Sequence, residues 1–160
     1  MEKKKKILII DDEEDICDMA GGALRKTGLY EVLATVDPAE GCKICEREHP
    51  DLVVLDYVMP NMRGDEVIAH LHHIPTTQNI PIILVSGLGE IVYYHDSQEW
   101  KWKPDSEIVR QRGDIPDIFE SVMEPEELAR KFGVSLFLSK PFTRTTFLQM
   151  VEKVLEQQAG

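Results

Sequence analysis

The chain has 160 residues, 42% of them hydrophobic, enough for one sizeable core and a single domain over 1–160. Its 29 acidic residues outnumber 18 Lys+Arg for a formal net charge of −11, which argues against a general nucleic-acid or anionic-membrane binder, because both need positive charge to meet phosphate. Three cysteines cannot all pair within one chain, so no disulfide framework is expected, and a reducing, cytoplasmic setting fits best.

The charged start, Met1–Lys6, leads into an apolar run that stops at Ile10 against Asp11, too short for a signal peptide or a membrane span. Five such runs punctuate the chain: Ile7–Ile10, Tyr30–Ala34, Leu52–Leu55, Ile80–Val85 and Val134–Leu138. Rich in Val, Ile and Leu and mostly without polar alternation, they suit strands buried on both faces of a parallel sheet. Helical patterns fill the gaps. Asp12–Thr27 opens with acids and places Ile16, Ala20, Ala23 and Leu24 on one face. Asp37-Pro38-Ala39-Glu40 supplies an N-cap, a first-turn proline and a capping-box acid. Gly64–His73 and Thr143–Gln157 are amphipathic. Strand alternating with helix predicts an α/β fold with a parallel sheet.

Residues 87–133 break this rhythm, since loops joining strands and helices in such folds usually run about 2–6 residues. Their last part, Glu124–Gly133, reads as the missing helix. An insertion of approximately 88–123 remains, with eight acids against four bases and the aromatics Tyr93, Tyr94, Trp100 and Trp102. Such apolar content is unlike a disordered linker. The aromatic cluster is expected to cover the domain's own surface or to form a surface for a partner or a second copy.

The informative polar residues stand where apolar runs stop. Asp11 and Asp12 follow the first run, Asp56 the third, Ser86 the fourth, and Lys140 lies just past the fifth. In an open parallel sheet all strand C-termini share one edge, so these five are expected to converge on a single pocket. Three carboxylates there stay ionised together only with a compensating cation, and oxygen-only ligands favour Mg²⁺. Two other clusters read as structural. Cys42 and Cys45 are i, i+3 within a helix rather than at its start, and His70, His72 and His73 suit the negative end of a helix dipole.

Ile7–Glu13, Asp56-Tyr57-Val58-Met59-Pro60 with Gly64, Ser86-Gly87 and Lys140-Pro141-Phe142 together resemble the receiver domain of bacterial two-component response regulators, over the whole chain apart from the inserted segment. The resemblance implies a doubly wound five-stranded flavodoxin-like sheet of order 2-1-3-4-5. It implies that Asp56 accepts a phosphoryl group from a sensor histidine kinase or a histidine phosphotransfer protein. Asp12, Asp56 and the Val58 carbonyl would bind Mg²⁺ directly, and Asp11 through water. Ser86 and Lys140 would meet phosphoryl oxygens. Phe137 matches the aromatic switch position, and the Lys140–Pro141 peptide is expected cis. Val58 and Leu88 replace polar residues that orient the hydrolytic water in relatives, so a long-lived acyl phosphate is expected unless the insertion supplies Glu90 or His95 instead.

With Gly160 following the last helix, the expected output is protein–protein contact or a phosphorelay, without nucleic acid or membrane. A homodimer through the fourth helix, fifth sheet strand and fifth helix, or through the insertion, belongs to the same reading. Two other readings stay open. One is a receiver-like scaffold that is never phosphorylated. The other is a haloacid-dehalogenase-type phosphatase, disfavoured because Val58 stands where that chemistry needs an acid.

Overall fold

The structure, a computed structural model, describes residues 2–86, 89–94, 99–104 and 125–159. In chain order its elements are β1 (Lys5–Ile10), α1 (Glu14–Lys26), β2 (Tyr30–Thr35), α2 (Pro38–Glu48), β3 (Leu52–Asp56), α3 (Gly64–His73) and β4 (Ile82–Ser86). They are followed by β5 (Gly89–Tyr94), β6 (Glu99–Pro104), α4 (Pro125–Phe132), β7 (Leu136–Ser139) and α5 (Arg144–Ala159). Five strands form one sheet in the order β2-β1-β3-β4-β7, every neighbour parallel. Counted along the five apolar runs, this is the expected order 2-1-3-4-5.

The absence of polar alternation in the runs follows from the layering. Leu8, Ile10, Val53, Leu55, Ile82 and Leu84 are buried against α2 and α3 through Cys42, Cys45, Val67, Ile68 and Leu71. The intervening Ile7, Ile9, Leu52, Val54, Ile83 and Val85 are buried on the opposite face, against Ala20 and Leu24 of α1 and Phe147, Val151 and Val154 of α5. Alternate residues therefore face alternate layers, and both faces are dry. The α2 N-cap forms as the sequence predicts: the Asp37 carboxylate accepts from the Ala39 amide at 2.9 Å, with Pro38 opening the helix.

Element ends shift by a residue or two for local reasons. The fourth strand starts at Ile82 rather than Ile80, and the Pro81 carbonyl accepts from the Val53 amide. The fifth sheet strand starts at Leu136 rather than Val134, because the Val134 amide closes the end of α4 on the Ala129 carbonyl. Within the inserted stretch, β5 and β6 pair antiparallel as a separate two-stranded sheet, with Ile91 opposite Trp102 and Tyr93 opposite Trp100. Gly87, Leu88, His95 and the rest of the insertion lie outside the described residues. Among the described residues no helix is long and apolar enough to cross a membrane.

Candidate functional site

The C-terminal ends of β1 and β3 are neighbours in register, Ile10 facing Leu55, so the residues that follow emerge side by side. Asp11 is only 3% exposed and Asp56, the last residue of β3, only 4%. Asp12 is half-buried beside them. One carboxylate oxygen from each of Asp11, Asp12 and Asp56 lies within 4.8 Å of the other two. The loop after β7 adds a cation: Lys140 Nζ is 2.7 Å from Asp11 Oδ2 and 3.7 Å from Asp56 Oδ1. Of the five residues expected to meet, these four do. Ser86 ends β4 one step beyond Val85, the register partner of Asp56, so its backbone reaches the same edge.

Local backbone contacts fix the loop that follows Asp56. The Gly64 amide donates to the Tyr57 carbonyl at 2.8 Å, which folds residues 57–64 back onto the end of β3. A Cβ at Gly64 would sit 2.8 Å from the Asp56 carbonyl oxygen and from Tyr57 Cα, so the close approach requires glycine. Tyr57 is buried and meets Phe132 edge to face, ring centroids 5.4 Å apart, which ties the residue after Asp56 to the last residue of α4. Val58 is buried in the same cluster. The Lys140–Pro141 peptide is cis, as expected.

Electrostatics mark the pocket as short of positive charge. Burial, then the charge of Asp11, pushes the Asp56 carboxyl from 3.8 up to about 8, although Lys140 pulls the other way. Burial also raises Asp11, opposed by its hydrogen bond to Lys140. For Lys140, burial works against the ammonium, but the charges of Asp56, Asp11 and Glu13 prevail and hold it above its ordinary value. Three buried or half-buried carboxylates face one ammonium, so a divalent ion would bring the sum to neutrality. The donors are all oxygen, the set a hard cation of the Mg²⁺ type takes. The residues present fit that ion.

Other expectations resolve more plainly. Phe137 is buried and packs in the core layer shared with α2 and α3. Cys42 and Cys45 are free and buried, with burial pushing their thiols up to about 11 and about 12. His70 Nε2 lies 2.8 Å from Glu46 Oε1, joining α3 to α2. Between α4, β7 and α5 runs a groove of about 540 Å³ lined by Arg130, Val134, Phe137, Met150 and Lys153 among others. One site contact is absent from the sequence reading: Glu13 Oε2 lies 3.5 Å from Lys140 Nζ. Its only sequence signal is its place beside the Asp11-Asp12 pair.

A doubly wound parallel α/β domain with an acidic pocket and a lysine at the C-terminal edge of its sheet defines the class. The sequence profile of the response regulator receiver domain matches residues 7–99, more than half of the chain, and the chain belongs to that family. It is 43% identical over 86 residues to the alkaline phosphatase synthesis transcriptional regulatory protein PhoP of Bacillus subtilis, covering 54% of this chain and 35% of that protein. It is 41% identical over 88 residues to the probable transcriptional regulator ycf27 of Cyanophora paradoxa, covering 55% of this chain and 35% of the relative. The chain thus spans about a third of the length of these curated relatives (35%). Among solved structures, a CheY-like response regulator receiver domain protein from Methanospirillum hungatei superposes with a TM-score of 0.68 at 22% identity, covering 98% of each chain. At that identity the likeness concerns the fold.

Proposed function

We propose that this receiver domain is a phosphorylation-dependent switch in which Asp56 takes a phosphoryl group from a histidine kinase or a histidine phosphotransfer protein. The observation that carries this reading is the convergence of Asp11, Asp12 and Asp56 within 4.8 Å, with Lys140 against two of them. An Asp56 carboxylate oxygen forms the new O–P bond while the P–N bond of the phosphohistidine breaks, the imidazole nitrogen keeping the electron pair. Asp12, Asp56 and the Val58 carbonyl would hold Mg²⁺, with Asp11 acting through water. When bound, the ion neutralises charge that builds on the phosphoryl oxygens.

Lys140 already stands 3.7 Å from the nucleophilic carboxylate, near enough to exchange a carboxylate partner for a phosphoryl oxygen. Ser86, at the end of the neighbouring strand, would donate its hydroxyl to another oxygen. Phe137 lies two residues before Ser139, the register partner of Ser86, so a shift of Ser86 would be felt along β7. The groove between α4, β7 and α5 is where that shift would reach a partner protein, and output by contact or by onward phosphoryl transfer follows from it. Apart from its own aspartyl phosphorylation and dephosphorylation, the domain would have no catalytic turnover.

Incubation with acetyl phosphate and Mg²⁺, followed by intact mass, tests the reading. One added phosphoryl group that Asp56→Asn abolishes is the expected result. No addition would leave a scaffold, and sustained hydrolysis of phosphoesters would indicate a phosphatase.

A further inference from the structure

Glu13 occupies the N-cap position of α1, where a short polar side chain usually turns back onto the helix amides. Here it makes no side-chain cap hydrogen bond. Its own amide donates to Asp11 Oδ1 at 2.9 Å, which anchors its backbone to the pocket. Its carboxylate instead reaches Lys140 Nζ at 3.5 Å. Unlike the two buried aspartates on the same ammonium, the Glu13 side chain is 58% exposed, so it meets Lys140 from the solvent side, at the mouth of the pocket.

We infer that Glu13 is a positioning residue, a carboxylate at the mouth of the pocket that competes with an arriving phosphoryl group for the Lys140 ammonium. The inference rests on the reading of Asp56 as the phosphoacceptor. Lys140 can pair with a phosphoryl oxygen only by giving up part of its present coordination. Asp11 and Asp56 are both buried, and Glu13 is the exposed one of the three carboxylates on Lys140, so the Glu13 contact is the one an arriving group displaces. A half-exposed pair of this kind is weak, so its loss changes a rate by a small factor, about two- to five-fold. Glu13 therefore slows acquisition of the phosphoryl group by a donor that does not itself displace the glutamate.

The test uses the full chain with acetyl phosphate as the donor at saturating Mg²⁺, and intact mass as the clock. Glu13→Gln removes the charge, and Glu13→Asp keeps it on an arm one methylene shorter, too short to hold Lys140 from the same backbone position. Both variants are expected to phosphorylate about two- to five-fold faster than wild type. In metal-free protein, the NMR signal of the Lys140 side-chain ammonium should shift in both variants. The thermal midpoint of Glu13→Gln should stay close to wild type, because no cap is lost. Acceleration by Glu13→Gln alone, with Glu13→Asp matching wild type, would reduce the effect to the charge of the mouth and overturn the hold. Unchanged or slower phosphorylation in both variants would overturn it too. If wild type takes up no phosphoryl group, the reading of Asp56 fails. The hold then stands or falls on the ammonium signal, and an unshifted signal ends it.

Discussion

Replacing Asp56 by Asn should stabilise the metal-free protein, and increasingly so as pH rises. The Asp56 carboxyl is held at about 8 in the folded chain against its ordinary 3.8, with burial as the first cause and the charge of Asp11 as the second. The folded state therefore holds this proton more tightly than the unfolded chain does. The wild type loses stability as pH climbs from about 4 to about 8, whereas Asn has no proton to lose. Roughly four pH units at ~1.4 kcal/mol each set a ceiling of ~6 kcal/mol for the gap at pH 8. Because Asp56 is 4% exposed, solvent screening takes little from this. The lost attraction to Lys140 takes more, and a measured gap of about 2–4 kcal/mol is expected. Lys140 is not stranded by the change, since Asp11 remains at 2.7 Å. Urea unfolding in EDTA at pH 5, 6.5 and 8 measures the gap, and a repeat in saturating Mg²⁺ should narrow it, because the ion binds the folded wild type. A gap absent at pH 8, or one that widens toward acid, would refute the electrostatic account of the pocket.

Further expectations concern the surroundings of the site. Gly64→Ala forces a Cβ to within 2.8 Å of backbone at Asp56 and Tyr57; a destabilisation of about 1–3 kcal/mol is expected in urea titrations, with slower phosphorylation of Asp56. Cys42 and Cys45 should resist thiol reagents at neutral pH until the protein unfolds, since burial suppresses their thiolates; rapid labelling of the native protein would contradict this. Val58→Asn restores the polar residue type that the family resemblance implies two positions past Asp56, so the phosphoryl half-life should shorten. A wild-type half-life of seconds that the substitution leaves unaltered would count against that view.

The sheet was legible because both of its faces are buried. Ile7–Ile10 and Leu52–Leu55 carry no polar interruption, as suits strands buried between two helical layers. Asp11, Asp12, Asp56 and Lys140 were legible for a topological reason: parallel strands deliver their ends to one edge, whatever the distances along the chain. The β5–β6 hairpin was not recognised as strands, although Trp100-Lys101-Trp102-Lys103 has the two-residue alternation of a half-covered strand. Without a continuous apolar run of the kind the sheet strands carry, β6 offers only that short alternation as a signal. The Glu13 contact could not be read at all, because it depends on where the loop after β7 carries Lys140 relative to the start of α1. A capping position also gives a glutamate an ordinary reason to be there.

The Tyr57–Phe132 contact has a consequence for how distant parts of the chain share information. Along the backbone, Asp56 and the end of α4 are separated by α3, β4, β5 and β6. Through space, two rings bridge them. Neither ring belongs to the stretch between β4 and α4, so the sequence there can vary without removing either partner of the contact.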